Sequence, residues 1–250
     1  MKHLLLLLSL AAGCTAAAQK RPATGGLSAL QDSIWQWAAD NKATDPVANA
    51  IYASAVNEPD GVIDVHMIRA DTAMKARFRR YVHDSPLIRL EGFDPDTTPY
   101  PPAPEGTPPP DGLSMDAEYA FYPAETDCVR LTIRYRGDST VYFGTDYTVC
   151  RFQNGRWETL PGADAWNSLL IGIGRPQFPV PGDARQTKEY AYGFTARLAP
   201  RVYPSVYARY RICKNVYMEN PRRDYLLTAD FTVTPFVPFT RFPEQTGDNN

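Results

Sequence analysis

Apolar and polar positions alternate along the second half of the chain. In residues 129–135, Val129, Leu131 and Ile133 fall on one face of an extended strand, and polar residues fall on the other. Short runs of this kind recur through residue 235, separated by turn sequences rich in Gly, Asn, Asp and Pro. Several such strands without a helical period predict an antiparallel β-sandwich over residues 113–236, followed by a loose tail over residues 237–250.

The first half of the chain has a different pattern, which predicts a small α/β unit over residues 27–93. Apolar residues recur at helical spacing in residues 27–40 and again in residues 72–82, so both segments are predicted helices. Between them, the turn sequence Pro59-Asp60-Gly61 joins two apolar runs, which predicts a β-hairpin. A further apolar run over residues 87–93 supplies a third strand, which makes a helix followed by a β-β-α-β unit.

A proline-rich segment, residues 94–112, separates these two parts. Proline has no backbone N–H and favours extended polyproline conformation, so this segment is predicted to be a semi-rigid linker between domains.

The composition narrows the range of functions. Apolar residues make up 44% of the chain, as in ordinary globular proteins, and the formal net charge is -2. A nucleic-acid partner is not expected, because phosphate binding needs a basic surplus or stripe. The 23 prolines and 15 tyrosines suit a β-rich exported protein with ordered turns.

The N-terminus predicts export. A basic start precedes the apolar run from Leu4 to Leu10 and a stretch of small residues, which is typical of a secretory signal peptide. Two cleavage sites fit: residues 1–18 are removed and the chain starts at Gln19, or residues 1–13 are removed and Cys14 is lipidated. We therefore expect a periplasmic or outer-membrane-attached protein, which contacts a membrane only through a lipid anchor on Cys14.

Cys128, Cys150 and Cys213 follow the signal peptide. The odd number leaves at least one thiol free in a monomer. Cys150 and Cys213 fall on strands that we expect to be neighbours, and both alternate out of phase with the apolar residues around them. We therefore expect both to face solvent, where they could form a cross-strand disulfide or remain separate thiols.

The aromatic residues of segment 138–161 have two interpretations. In the favoured one, Val141, Phe143 and Tyr147 point inward, and Trp157 packs across the core behind the Asn154-Gly155 turn. In the alternative, exposed aromatic rings form a platform on which sugars stack. The candidate ligand-facing residues of that platform are Tyr135, Tyr142 and Phe152.

The sequence singles out no catalytic, cofactor-binding or metal-ligating residue. Only His66 and His83 follow the signal peptide, and neither an HExxH nor a GxSxG motif occurs. No cysteine pair has the spacing of a zinc site. We therefore expect a non-enzymatic protein that carries no cofactor.

The ordered strand sequences resemble a bacterial immunoglobulin-like domain over about residues 112–234. The shared pattern runs through GLSMDAEYAFYP, VRLTIRY, YFGTDYTVCRFQNGRW, TKEYAYGF and YARYRI. The segment VIDVHMIRADTAMKARFRRYVHDSPLIRL is similar to a short β-α-β unit that precedes such domains in related envelope proteins. The resemblance implies a mostly β fold, in which a C-terminal Ig-like antiparallel β-sandwich follows a small N-terminal α/β unit.

These observations lead to two functional expectations. The first is an exported, non-enzymatic envelope protein whose Ig-like sandwich is a binding or spacer module for an unidentified protein or glycan partner. The alternative is a carbohydrate-binding accessory protein of a glycan-uptake system that uses the exposed aromatic residues.

Overall fold

The structure is a computed structural model. It describes residues 24–162, 169–174, 189–199, 202–203, 207–219 and 221–235. The signal peptide, Cys14, Gln19 and the tail over residues 237–250 lie outside the described residues.

The N-terminal unit contains three helices and a three-stranded sheet. Its elements are α1 (Thr24–Asn41), α2 (Pro46–Ala50), β1 (Ile51–Asn57), β2 (Val62–Arg69), α3 (Thr72–Tyr81) and β3 (Ile88–Phe93). The strand order is β1-β2-β3, with β1 antiparallel and β3 parallel to β2. This arrangement contains the hairpin, the two longer helices and the third strand that the sequence pattern predicts.

Local sequence explains the ends of these elements. Gly61 adopts a φ of 67° in the hairpin turn, where its N–H donates to the carbonyl of Asn57 at 2.8 Å. Asp71 caps α3, because its carboxylate accepts a hydrogen bond from the N–H of Met74 at 2.8 Å. Phe78 of α3 and Val65 of β2 are fully buried, and both belong to the apolar core.

The C-terminal part is a β-sandwich of ten strands among the described residues. They are β4 (Leu113–Ala117), β5 (Phe121–Tyr122), β6 (Cys128–Arg136), β7 (Thr140–Phe143), β8 (Thr148–Gln153), β9 (Arg156–Leu160), β10 (Ile171–Gly174), β11 (Glu189–Arg197), β12 (Ala208–Met218) and β13 (Arg223–Val233). The smaller sheet has the order β11-β6-β4, and the larger one β10-β7-β12-β13-β5. In the larger sheet, β8 also pairs with β12, and β9 pairs with β8. The prediction of a mostly β fold with a small N-terminal α/β unit is confirmed.

The two sheets enclose an apolar core. Val129, Leu131 and Ile133 of β6 are completely buried, as the alternating pattern predicts. Across the core, Phe143 of the larger sheet packs on Tyr192 of the smaller one, with 5.2 Å between the ring centroids. Burying an aliphatic or aromatic side chain of this size contributes about 1.5–3 kcal/mol, so this layer is the main source of stability for the sandwich.

Lys214 is a charged residue inside this core. Its side chain is 2% exposed, and its ammonium group donates to the carbonyls of Gly144 at 2.9 Å and Asp146 at 2.6 Å. The ammonium group also lies 5.1–5.4 Å from the ring centroids of Phe194 and Phe143. Burial lowers the pKa of Lys214, while these contacts hold the loop between β7 and β8 against the core.

The proline-rich linker is bound to the sandwich. Pro102 bridges to Glu158 of β9, the N–H of Ala103 donates to the carbonyl of Trp157, and the carbonyl of Pro101 accepts from Thr159. The carbonyl of Thr107 then accepts from the N–H of Leu226 in β13. Residues 101–107 therefore connect both sides of the β9-β8-β12-β13 array, and the linker is not the spacer that its composition predicts.

The same linker joins the N-terminal unit to the sandwich. Tyr100 packs on Phe93 at the end of β3, with a centroid distance of 5.0 Å, and on Tyr203 at 6.4 Å. The hydroxyl of Tyr203 donates to the carbonyl of Pro161 at 2.6 Å, and Arg69 of β2 donates to the carbonyl of Val202 at 3.2 Å.

We predict that Ala103→Pro weakens the attachment of the linker. The substitution removes the N–H that bonds to the carbonyl of Trp157, and losing such a bond costs about 1–2 kcal/mol of unfolding free energy. The measurement is the urea midpoint of the full chain. Glu105→Pro is the matched control, because no described backbone hydrogen bond involves the N–H of residue 105. Equal midpoints for both variants would show that the hydrogen bond of Ala103 does not hold the linker.

Candidate functional site

Tyr135 does not lie on an exposed surface, although the aromatic-platform interpretation placed it there. It is 5% exposed, and its hydroxyl accepts a hydrogen bond from the N–H of Ser139 at 3.1 Å. Its position is in phase with Leu131 and Ile133 on β6, so it points into the core. Tyr135 is therefore a core residue, and the expectation that it faces a ligand is wrong.

Tyr142 lies on the outer face of the larger sheet, which is the face turned away from the smaller sheet. It stacks on Tyr217, with 5.3 Å between the centroids and 21° between the ring planes. The ring also lies beside Gly172, where an added Cβ would approach it to 3.2 Å. The guanidinium of Arg222 lies 4.5 Å from the Tyr217 centroid, so this pair has an aromatic surface next to a cation.

Phe152 lies on the same outer face, in contact with Trp157. Their ring centroids are 5.3 Å apart and the planes are inclined by 64°, in an edge-to-face contact between residues paired directly across the β8-β9 hairpin. Trp157 does not pack across the sandwich core as predicted. Glu158 and Leu160, which share the opposite face of β9, are buried instead, because the turn at Asn154-Gly155 sets the opposite phase.

Two arginines of β12 lie against these rings. The guanidinium of Arg211 is 4.3 Å from the Trp157 centroid. That of Arg209 is 5.5 Å from Trp157 and 5.8 Å from Phe152. We call the set of Phe152, Trp157, Arg209, Arg211 and Asp230 the Trp157 cluster.

Asp230 fixes the arginines of the Trp157 cluster. Its carboxylate accepts two hydrogen bonds from Arg211, at 2.6 and 2.9 Å, which is the bidentate geometry typical of a strong pair. These hydrogen bonds raise the pKa of Arg211. Arg209 has a single longer contact of 3.3 Å with Asp230, and 58% of its side chain is exposed. One carboxylate thus faces two guanidinium groups, and Arg209 keeps an accessible positive charge beside two half-buried rings.

Cys150 and Cys213 lie on neighbouring strands, as expected, but they do not face solvent. Cys150 is 0% and Cys213 is 2% exposed. Both are on the outer face, where Cys150 pairs with Arg211 and Cys213 with Thr148. Gly106 of the linker lies on this face, because a Cβ there would come within 2.8 Å of the Cβ of Leu226. The linker thus lies over part of the outer face, at Leu226 of β13.

In the described part of the chain, no group of three or more metal-ligating side chains occurs, and none of its helices is long and apolar enough to cross a membrane. His66 contacts Glu91 at 3.4 Å on the small sheet. A shallow depression of about 270 Å³ between β4 and β13 is lined by residues 115–117 and 228–230.

The sequence patterns did not identify five residues that lie on the outer face of the larger sheet. They are Trp157, Tyr217, Arg209, Arg211 and Asp230. A signal for the arginines was present in the sequence of β12. Arg209 and Arg211 alternate with Tyr210 and Ile212, which are both buried. Such a strand must place its arginines on the opposite face of the sheet.

Comparison with known proteins identifies a family model that matches part of the sandwich. Residues 109–177 match the family model of a bacterial Ig-like domain. The match covers β4 to β10 and confirms the resemblance seen in the sequence. No curated protein is significantly similar to the chain.

Three solved structures align with about half of the chain at low identity. A Northeast Structural Genomics Consortium target is 10% identical, with a TM-score of 0.29, and the alignment covers 52% of this chain and 92% of that one. The periplasmic chaperone SfaE is 12% identical, with a TM-score of 0.27 and coverages of 51% and 60%. The collagen-binding subdomain of the Enterococcus faecalis surface protein ACE is 8% identical, with a TM-score of 0.25 and coverages of 50% and 98%. Alignments this distant support no statement about function.

We predict that Asp230 is coupled more strongly to Arg211 than to Arg209. Double-mutant cycles with Asp230→Ala and either Arg211→Met or Arg209→Met isolate each pair in urea unfolding. The bidentate, less exposed Arg211 pair should give a coupling energy of about 1–2 kcal/mol, and the exposed Arg209 pair about 0.5 kcal/mol or less. Equal coupling energies would contradict the geometry of the Trp157 cluster.

Proposed function

We propose that this chain, in which residues 109–177 match a bacterial Ig-like domain, is a non-enzymatic protein exported to the cell envelope. Its sandwich binds a ligand through the outer face of the larger sheet. The observation that carries this proposal is the Trp157 cluster, which combines half-buried aromatic rings with an arginine whose charge is accessible.

Export is supported by the apolar run near the N-terminus and by the small residues that follow this run. The apolar run from Leu4 to Leu10 is too short to span a membrane and is followed by the small residues of a cleavage site. Lipidation of Cys14 would place the protein on a membrane, whereas cleavage before Gln19 would release it into the periplasm.

Binding through the Trp157 cluster is supported by its rigidity. Asp230 holds Arg211 against Trp157, and Trp157 is paired across the hairpin with Phe152. Aromatic and arginine side chains held in place before binding lose little entropy when a ligand docks, which is why they dominate many interfaces. An exposed guanidinium at the edge, that of Arg209, adds a donor for an anionic or polar group.

A glycan is the second candidate ligand, and a specific observation favours it. Tyr142 with Tyr217 and Phe152 with Trp157 form two aromatic pairs on one sheet face. Two separated aromatic surfaces on one face suit a chain of sugar rings, which would make the protein an accessory of glycan uptake. In this alternative Tyr142 and Phe152 keep the ligand-facing role that the sequence suggests.

We predict that the mature protein is recovered from the cell envelope without its signal peptide. Intact-mass measurement of the membrane and soluble envelope fractions is the test. A diacylated or triacylated chain beginning at Cys14 would identify a lipoprotein, and an unmodified chain beginning at Gln19 a soluble periplasmic protein. A full-length chain in the cytosol would contradict export.

We predict that the protein binds to the cell envelope through the residues of the Trp157 cluster. The measurement is co-sedimentation of purified protein with isolated envelope particles. Trp157→Ala and Arg209→Ala should each weaken binding about tenfold, because each removes roughly 1.4 kcal/mol of contact energy.

The matched control is Trp35→Ala, which removes a tryptophan of 38% exposure from α1 of the N-terminal unit. Competition by soluble neutral and acidic oligosaccharides separates a glycan ligand from a protein ligand. Unchanged sedimentation of both cluster variants would refute binding at this face.

A further inference from the structure

Cys150 and Cys213 form a pair of neighbouring thiols in the larger sheet. Their sulfur atoms are 3.9 Å apart, which is contact without a bond. They are diagonal neighbours, since Cys150 lies opposite Arg211, two positions before Cys213. The right-handed twist of a sheet brings one of its two diagonals closer together, and here that diagonal joins the two sulfurs.

The surroundings isolate this pair from other thiols. Cys128 is exposed and begins β6 in the smaller sheet, where it lies opposite Arg197 of β11. Neither sulfur of the buried pair can reach it through the core. Among the described cysteines, intramolecular bonding therefore has one geometry, which joins Cys150 to Cys213.

We propose that Cys150 and Cys213 are joined by a disulfide bond that locks β8 to β12. The proposal rests on the proposed export of the protein, because export supplies an oxidising compartment. It concerns a covalent link within the scaffold and adds no claim about the ligand.

The electrostatics of the pair indicate which sulfur reacts first. The contact with Cys213 is the main reason that the pKa of the Cys150 thiol is lowered. The hydroxyl of Thr159 and the charge of Arg211 act in the same direction. Cys150 is thus the better nucleophile, since the thiolate is the reactive form.

The bond forms by two thiol–disulfide exchange steps with a disulfide donor, such as oxidised glutathione or a protein disulfide. The Cys150 thiolate attacks one donor sulfur, which gives a mixed disulfide and releases one donor thiolate. Cys213 loses its proton and attacks the Cys150 sulfur of the mixed disulfide, which releases the second donor thiolate. The two cysteines lose two electrons, the donor gains them, and the two protons pass to the released thiolates.

The bond would join two strands of the larger sheet whose pairing is short. β8 pairs with β12 over four residue pairs only, between Tyr210–Arg151 and Cys213–Thr148. Phe152 follows Cys150 by two positions, and Arg211 precedes Cys213 by two. A covalent link there fixes the register of the strands that carry these two members of the Trp157 cluster.

Differential alkylation followed by peptide mapping tests the proposal. Protein from the envelope is denatured in an alkylating reagent without reductant and digested, and linked peptides are sought by mass spectrometry. We expect a Cys150–Cys213 cross-linked peptide that disappears on reduction, with Cys128 alkylated. Reduction should lower the Tm of the parent and of Cys128→Ser by about 10 °C, and leave that of Cys150→Ser unchanged.

A second experiment tests the disulfide bond independently of the proposed export. The purified full chain is unfolded with reductant and refolded in excess oxidised glutathione, so that both thiols are accessible before they are buried, and it is mapped in the same way. A Cys150–Cys213 bond here supports the proposal even if the protein proves not to be exported. Alkylation of both thiols, or glutathione on both, would overturn it wherever the protein resides. A bond from Cys128 to either buried cysteine would overturn it as well.

Discussion

Backbone hydrogen bonds between the proline-rich segment and the sandwich hold the molecule in its observed arrangement. Proline cannot donate, so the segment contributes mainly acceptors: the carbonyls of Pro101, Pro102 and Thr107 bind donors on β9 and β13. Ala103 supplies the N–H that returns a bond to Trp157. These contacts attach the N-terminal unit through Tyr100 and place the segment over a face that would otherwise be open.

The outer face of the larger sheet depends on this attachment. β9 would be an edge strand without Pro101–Ala103, and its position sets that of Trp157 against the arginines of β12. The face therefore combines a covered part, where Cys150 and Cys213 are buried, with an open part around Arg209 and the tyrosine pair. Binding surfaces are usually organised in this way: a buried region holds the exposed, partly charged side chains in place.

The alternation of apolar and polar residues was sufficient to predict most strands, and the helical spacing of apolar residues predicted both long helices. Both patterns arise because each element has one apolar face. Alternation also held the information that Tyr135 is buried, since that residue is in phase with Leu131 and Ile133. Alternation failed for Trp157, because β9 carries apolar residues on both faces. It also failed for Cys150 and Cys213, which are out of phase with the core as expected but are buried on the outer face, where Gly106 of the distant linker also lies. No local pattern reveals such long-range cover, and proline content alone predicts a spacer.

Amide hydrogen exchange of the full chain tests the attachment of the linker most directly. The informative amides are those of Ala103, bonded to Trp157, and Leu226, bonded to Thr107. The account predicts that both are protected to a degree similar to the amides of the β12-β13 pair. Rapid exchange at Ala103 and Leu226, with β12 still protected, would show a linker free of the sandwich and an outer face that it does not cover.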